Sequence, residues 1–163
     1  MKKLIITLGL AVATSLFAQT NVSNPQLPEY GPSITLEQAR KVSAAAQAEA
    51  LRNGWRVVVA VMDPGGHLVL LERMDNAQFG SVQVAQDKAR SAVAFRRPTK
   101  AFQDMVAAGG EGLRMLVVSG AVPIDGGLPI IVGGKVIGGI GLSGGTSAQD
   151  GRVAAAGLAA LAN

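Results

Sequence analysis

Trp55-Arg56-Val57-Val58-Val59-Ala60-Val61-Met62-Asp63-Pro64-Gly65-Gly66-His67-Leu68-Val69-Leu70-Leu71-Glu72-Arg73 is the stretch that decides the fold. Residues 55–62 are rich in Val, whose branched side chain suits a pleated strand, and the run reads as a buried strand. Asp63-Pro64-Gly65-Gly66 is turn chemistry. Residues 67–73 read as a second strand, so the two form a hairpin. Hairpins join antiparallel strands.

Working outward, Thr35-Leu36-Glu37-Gln38 fits a capping box, with Gln38 at the third helical position. The chain from there to Arg52 is rich in Ala, Gln and Glu. Leu36, Ala39, Val42, Ala46 and Ala50 share one side of this predicted helix, and Asn53-Gly54 stops it. Beyond the hairpin, Ser81 opens a helical pattern that runs to about Phe95. Pro98 breaks it, and Thr99 is placed to cap a short helix reaching Ala108. Residues 128–132 and 135–142 are apolar strands around Gly133-Gly134, a two-residue hairpin signal. Ser147 is placed to cap a last, Ala-rich helix, with Asp150 near its positive end. The order implies an α+β fold: a mainly antiparallel sheet of about five strands, with N- and C-terminal helices packed on it.

Met1-Lys2-Lys3, an apolar run to Phe17 and the small Ala18 have the order of a secretory signal peptide. The expected division is residues 1–18 as leader, 19–33 as a linker carrying Pro25, Pro28 and Pro32, and 34–163 as one domain. The product is then exported, periplasmic or secreted, without stable membrane insertion. Losing Lys2 and Lys3 takes the formal charge from +4 to +2, which is no nucleic-acid footprint. There is no cysteine, which excludes thiolate catalysis, iron–sulfur clusters and Cys-type zinc sites. Twenty-one glycines raise the entropic cost of folding a small domain, so a homo-oligomer is expected.

Two Gly-rich motifs tempt and fail. Gly139-Ile140-Gly141-Leu142-Ser143-Gly144 matches a dinucleotide fingerprint but lacks the second strand and the acidic residue about 20 positions on. Gly141-Leu142-Ser143-Gly144-Gly145 matches a hydrolase elbow, yet the single histidine, His67, precedes Ser143. These glycines read instead as a strand on which another backbone packs closely. One histidine cannot build a tri-ligand zinc site. A haem differs, because its ring supplies four ligands and one side chain completes an axial position. His67 is the first candidate, followed by Met62, Met74, Met105, Met115 and Tyr30. An ordinary surface histidine is the competing reading. Lys88, Arg90, Arg96, Arg97 and Lys100 form a basic stretch around Phe95 and Pro98. Arg96 and Arg97 suit a carboxylate clamp. The alternative is a solvated face paired with Glu72, Asp75 or Asp87.

Several segments together resemble a known family. Residues 59–68 followed by Glu72-Arg73-Met74-Asp75 resemble the first hairpin of GlcG/HbpS-type haem-binding proteins. Residues 85–99, from Ala85-Gln86-Asp87-Lys88 to Arg96-Arg97-Pro98-Thr99, resemble their helix signature. Gly126-Gly127-Leu128-Pro129-Ile130, Gly138-Gly139-Ile140-Gly141-Leu142-Ser143-Gly144 and Gln149-Asp150 resemble their closing strands and last helix. The likeness runs over residues 34–161. It implies a profilin-like fold, dimers or larger assemblies, and haem binding or haem-linked sensing in some members. A related domain is attached to PduO-type cobalamin adenosyltransferases, which widens the implied ligand class to tetrapyrroles. The family's axial ligand is not the same residue type throughout; on this sequence His67 remains the candidate axial ligand to haem iron, with Thr99, Arg96, Arg97 and Lys88 near the cofactor. The leading expectation is therefore an exported haem-binding protein for haem handling or sensing, not a classical enzyme. One alternative is an enzyme or accessory factor in which Lys88, Arg96 and Asp150 orient an acidic metabolite at an oligomer interface. Another is an oligomeric, partner-binding protein without ligand.

Overall fold

The computed structural model describes residues 26–161. The expected leader and residues 19–25 of the expected linker lie outside the described residues. The elements are β1 (Glu29–Tyr30), α1 (Leu36–Arg52), β2 (Val58–Met62), β3 (Leu68–Arg73), α2 (Ser81–Phe95), α3 (Thr99–Ala107), a 3-10 helix (Gly110–Val117), β4 (Gly127–Val132), β5 (Lys135–Ser143) and α4 (Ser147–Ala159). β2 pairs antiparallel with both β3 and β5, and β4 pairs antiparallel with β5. The fold is the expected α+β class with a mostly antiparallel five-stranded sheet.

β2 is central and buried along its whole length. Its side chains alternate between two layers, as the period of two requires. Val57, Val59 and Val61 join the cluster under α1 and α4, while Val58, Ala60 and Met62 join the cluster under α2. A strand covered on both faces reads as a continuous apolar run, which is why Val57-Val58-Val59-Ala60-Val61 carries no polar residue.

The capping box of α1 is formed: the Gln38 N–H donates to Thr35 Oγ1 at 3.1 Å and the Thr35 N–H to Gln38 Oε1 at 2.9 Å. Ala39, Val42, Ala46 and Ala50 are buried as expected, but Leu36 is exposed in the first turn. Three local expectations change. The cap of α4 is Thr146, one residue earlier than Ser147, because its hydroxyl accepts from the Gln149 N–H. Thr99 is the first residue of α3, not its cap, because its side chain is committed to Gly127. Glu29 and Tyr30, inside the expected linker, add a short strand parallel to Lys135 and Val136. The Tyr30 hydroxyl fixes that strand by donating to the Val93 and Ala94 carbonyls at the end of α2.

α2 lies almost in van der Waals contact with the backbone of β4 and β5. A Cβ on Gly141 would sit 2.0 Å from the Ala85 carbonyl oxygen, and one on Gly139 would sit 2.5 Å from Val93 Cγ2. On Gly127 it would sit 2.4 Å from the Lys88 carbonyl oxygen. This is the close backbone approach that the Gly-rich motif signals. An ion pair ties the layers together at the same place. Lys88 Nζ donates to Asp150 Oδ2 at 2.7 Å and to the Leu142 carbonyl at 2.9 Å. Asp150 Oδ1 accepts from the Gly145 N–H at 3.0 Å. Thus α2, the end of β5 and the first turn of α4 share one buried junction.

Gly141→Ala forces overpacking against backbone and is expected to destabilise the protein by about 1–3 kcal/mol in urea unfolding. Gly80→Ala, where a Cβ meets nothing within 4 Å, serves as control and is expected to be neutral or slightly stabilising. Lys88→Met alone strands a buried carboxylate and is expected to cost roughly 3–5 kcal/mol. Combining it with Asp150→Leu is expected to recover much of that loss. A double variant no more stable than the single one would show that the pair is not acting as a unit.

Candidate functional site

The β2–β3 turn presents His67 at its tip. Asp63 sits four residues earlier and folds back on it: the His67 N–H donates to Asp63 Oδ1 at 2.9 Å, and Nδ1 lies 3.2 Å from Asp63 Oδ2. Gly66 has φ +80° and lets the chain reverse here. The His67 side chain is 81% exposed. Burial pushes the Asp63 carboxyl up, but hydrogen bonds from the His67 N–H, the imidazole and the Gly65 N–H outweigh it. The group is held below its ordinary value. One ring nitrogen is thus oriented by a carboxylate. Metal-binding histidines are commonly prepared in this way.

Arg90, from α2, supports the tip. Its Nε donates to the Gly66 carbonyl at 3.3 Å, and its Nη1 lies 3.4 Å from Asp87 Oδ1. It stays half exposed. Leu68, next to His67, is exposed as well. Sequence reasoning placed Arg90 in the basic stretch but not among the site residues. Its contact spans 24 residues and has no local signature.

The other expected site residues lie elsewhere. Lys88 and Thr99 are brought together on either side of Gly127, but in the interior: Lys88 is 1% and Thr99 0% exposed. Thr99 Oγ1 accepts from the Gly127 N–H at 2.9 Å and donates to the Gly127 carbonyl at 3.4 Å. Both side chains are satisfied by the chain itself. Burial pushes the Asp150 carboxyl up from its ordinary value, against the opposing pull of Lys88. Arg96 and Arg97 do not converge. The Arg96 guanidinium covers the Tyr30 ring and donates to the Pro28 carbonyl at 3.2 Å. That of Arg97 lies over Phe102, 5.9 Å from the ring centre, and donates to the Phe95 carbonyl. Arg96 takes the left-handed conformation at the end of α2, which turns neighbouring side chains apart. Ser143 Oγ, the residue of the elbow motif, bonds to Ser81 Oγ in the interior at 3.0 Å.

Two surface clefts stand out. One of about 360 Å³ is apolar and lies between the β4–β5 turn and the end of α4, where Ile131, Val132, Leu158 and Leu161 face it. The other, of about 450 Å³, lies where β3 ends and contains Arg56 and Arg73. Among the described residues no group of three or more His, Cys, Asp or Glu is placed to hold a metal ion.

Comparison with known proteins places this architecture. A family model described as "Haem degrading protein HbpS-like" matches residues 34–159. Protein GlcG of Escherichia coli K12 is 42% identical over 76 residues, which are 47% of this chain and 57% of GlcG. The aligned stretch thus spans little more than half of that relative. The crystal structure of HbpS superposes with a TM-score of 0.73 at 32% identity, covering 80% of this chain and 92% of the other. That of PduOC in complex with haem gives 0.71 at 30% identity, covering 78% and 94%. Through the match over residues 34–159, with the same α+β fold around it, the chain belongs to the HbpS-like family.

Proposed function

We propose that this protein binds haem at the tip of the β2–β3 hairpin, as an exported protein of haem handling or sensing. The observation that carries the reading is the Asp63–His67 pair, an exposed imidazole held by a carboxylate on one nitrogen, with no partner on the other among the described residues. The family description and the haem complex of PduOC support the ligand class. His67 would hold the haem iron, since imidazole is a common haem ligand. Arg90 beside the tip fits a propionate, and Leu68 offers apolar surface. Haem, when bound, supplies the iron and its redox chemistry; the chain supplies the ligand, its orientation and the counter-charge. Thr99 and Lys88 act in this reading from the interior, as supports of α2 rather than as contacts. Arg96 and Arg97 fix the end of the same helix.

A flat cofactor on an exposed tip needs further cover. Leu113, Leu116, Val117, Val118 and Ile124 are exposed on and after the 3-10 helix. Apolar surface of this kind favours assembly, and a homo-oligomer belongs to the proposal. Export rests on the leader-like order of residues 1–18.

Haemin added to the protein from residue 19 onward is expected to give a saturable, shifted Soret band. His67→Ala is expected to alter the band and weaken binding by about tenfold or more. Asp63→Asn is expected to weaken it less. An unchanged band in His67→Ala would remove His67 from the site and keep haem. No saturable shift at micromolar protein would sink the reading.

A further inference from the structure

We propose that the cleft at the other end of the hairpin binds a small carboxylate that also carries a hydroxyl or ammonium group. Its wall is built by strand pairing. Val58 pairs with Arg73, and the Met74 N–H donates to the Val57 carbonyl at 3.1 Å. This register carries Arg56 and Arg73, far apart in the chain, to one cleft of about 450 Å³. Gln47 from α1 and Asp75 and Asn76 from the turn after β3 complete the polar lining.

The two guanidiniums are underused. Arg73 Nη1 donates to the Ala77 carbonyl at 3.1 Å, and Arg56 Nη1 to the Trp55 carbonyl at 3.3 Å. Among the described residues neither joins an ion pair, unlike Arg52, Arg90, Arg114 and Arg152; Arg96 and Arg97 are also without one, but the cleft brings only Arg56 and Arg73 together. Arg73 is also positioned from behind: its guanidinium lies 4.8 Å from the centre of the Phe79 ring. Stacking uses the face of the fork and leaves its edge donors available, so little freedom is lost on binding an anion. The turn that follows is fixed by the Ala77 N–H donating to the Met74 carbonyl and by Asn76 at φ +64°.

The charges decide the ligand class. Two guanidiniums match a carboxylate, whose oxygens accept fork hydrogen bonds. Asp75, likewise without an ion pair among the described residues, would repel a bare anion but accept from a donor group. A small molecule with a carboxylate at one end and a hydroxyl or ammonium beside it satisfies all three. The cleft, of about 450 Å³, is large enough to admit such a molecule. Six extended residues separate His67 from Arg73, or about 20 Å, so this site is distinct from the hairpin tip. The inference does not rest on haem binding.

The test is an amide NMR titration of the haem-free protein with L-lactate and with L-alanine, beside acetate. Saturable shifts centred on Met74, Asp75 and Asn76 are expected, with acetate binding more weakly than either. Arg56→Ala and Arg73→Ala are each expected to raise Kd by roughly tenfold to a hundredfold, the range for losing hydrogen bonds to a charged group. Arg73→Lys is expected to lie between, since it keeps the charge and loses the fork. Amides of α1 and α4 report that the variants remain folded. No saturable shift with lactate or alanine, or the same shifts in Arg56→Ala/Arg73→Ala, would overturn the proposal. So would acetate binding as tightly as lactate, because Asp75 would then select nothing.

Discussion

The buried pair of Lys88 and Asp150 is the constraint on which the rest of the structure depends. Two charges out of water are tolerable only when each is fully satisfied. Lys88 meets a carboxylate and a carbonyl, and Asp150 meets an ammonium and a backbone N–H. That geometry leaves room for nothing else. A Cβ on Gly126 would lie 2.7 Å from Asp150 Cβ and 2.9 Å from Lys88 Nζ. The glycines at 127, 139 and 141 follow from the same requirement. Lys88 can reach across the edge of the sheet only if α2 lies directly on the strands.

The position of α2 in turn governs the proposed haem-binding surface. Arg90 stands two residues beyond Lys88 and reaches the Gly66 carbonyl, so the helix that is locked from inside also holds the hairpin tip from outside. Tyr30 and Arg96 close the far end of the helix against β1. The hairpin itself carries a proposed site at each end. One end offers a carboxylate-oriented imidazole, and the other offers two arginines around a polar cleft. Binding groups carried on loops and strand ends of a rigid scaffold are a common division of labour.

Legibility in the sequence followed the range of each interaction. The capping box at Thr35, the Asp63-Pro64-Gly65-Gly66 turn, the end of α2 before Pro98 and the Gly133-Gly134 turn are local, and each was readable. So was the close packing on the Gly-rich strand, although not the identity of the helix that packs there. β1 is illegible because two residues carry no periodicity and pair only through the fold. Thr146 and Ser147 are both good caps, and Gln149, three residues after Thr146, decides between them. Thr99 read as a cap from its place after Pro98; its real partner is Gly127, 28 residues away. The Arg56–Arg73 cleft was invisible for the same reason. Its members meet only once the register of β2 and β3 is known.

The basic stretch from Lys88 to Lys100 shows how far sequence proximity can mislead. As a string it looks like one anion-binding patch. In space its five cations serve five partners. Lys88 is a core ion pair, Arg90 a brace for the turn, and Arg96 a cover for Tyr30. Arg97 lies on Phe102, and Lys100 pairs with Asp104 on the surface. A helix turns about 100° per residue, so neighbours in such a run diverge unless a backbone break brings them back. The break at Arg96 divides them further. Arg56 and Arg73, each with one hydrogen bond to a backbone carbonyl and no ion pair among the described residues, lie outside the stretch and attract no notice in the sequence. Charge density along a chain therefore says where cations are made. Which of them remain available to a ligand is decided by the contacts each has already formed.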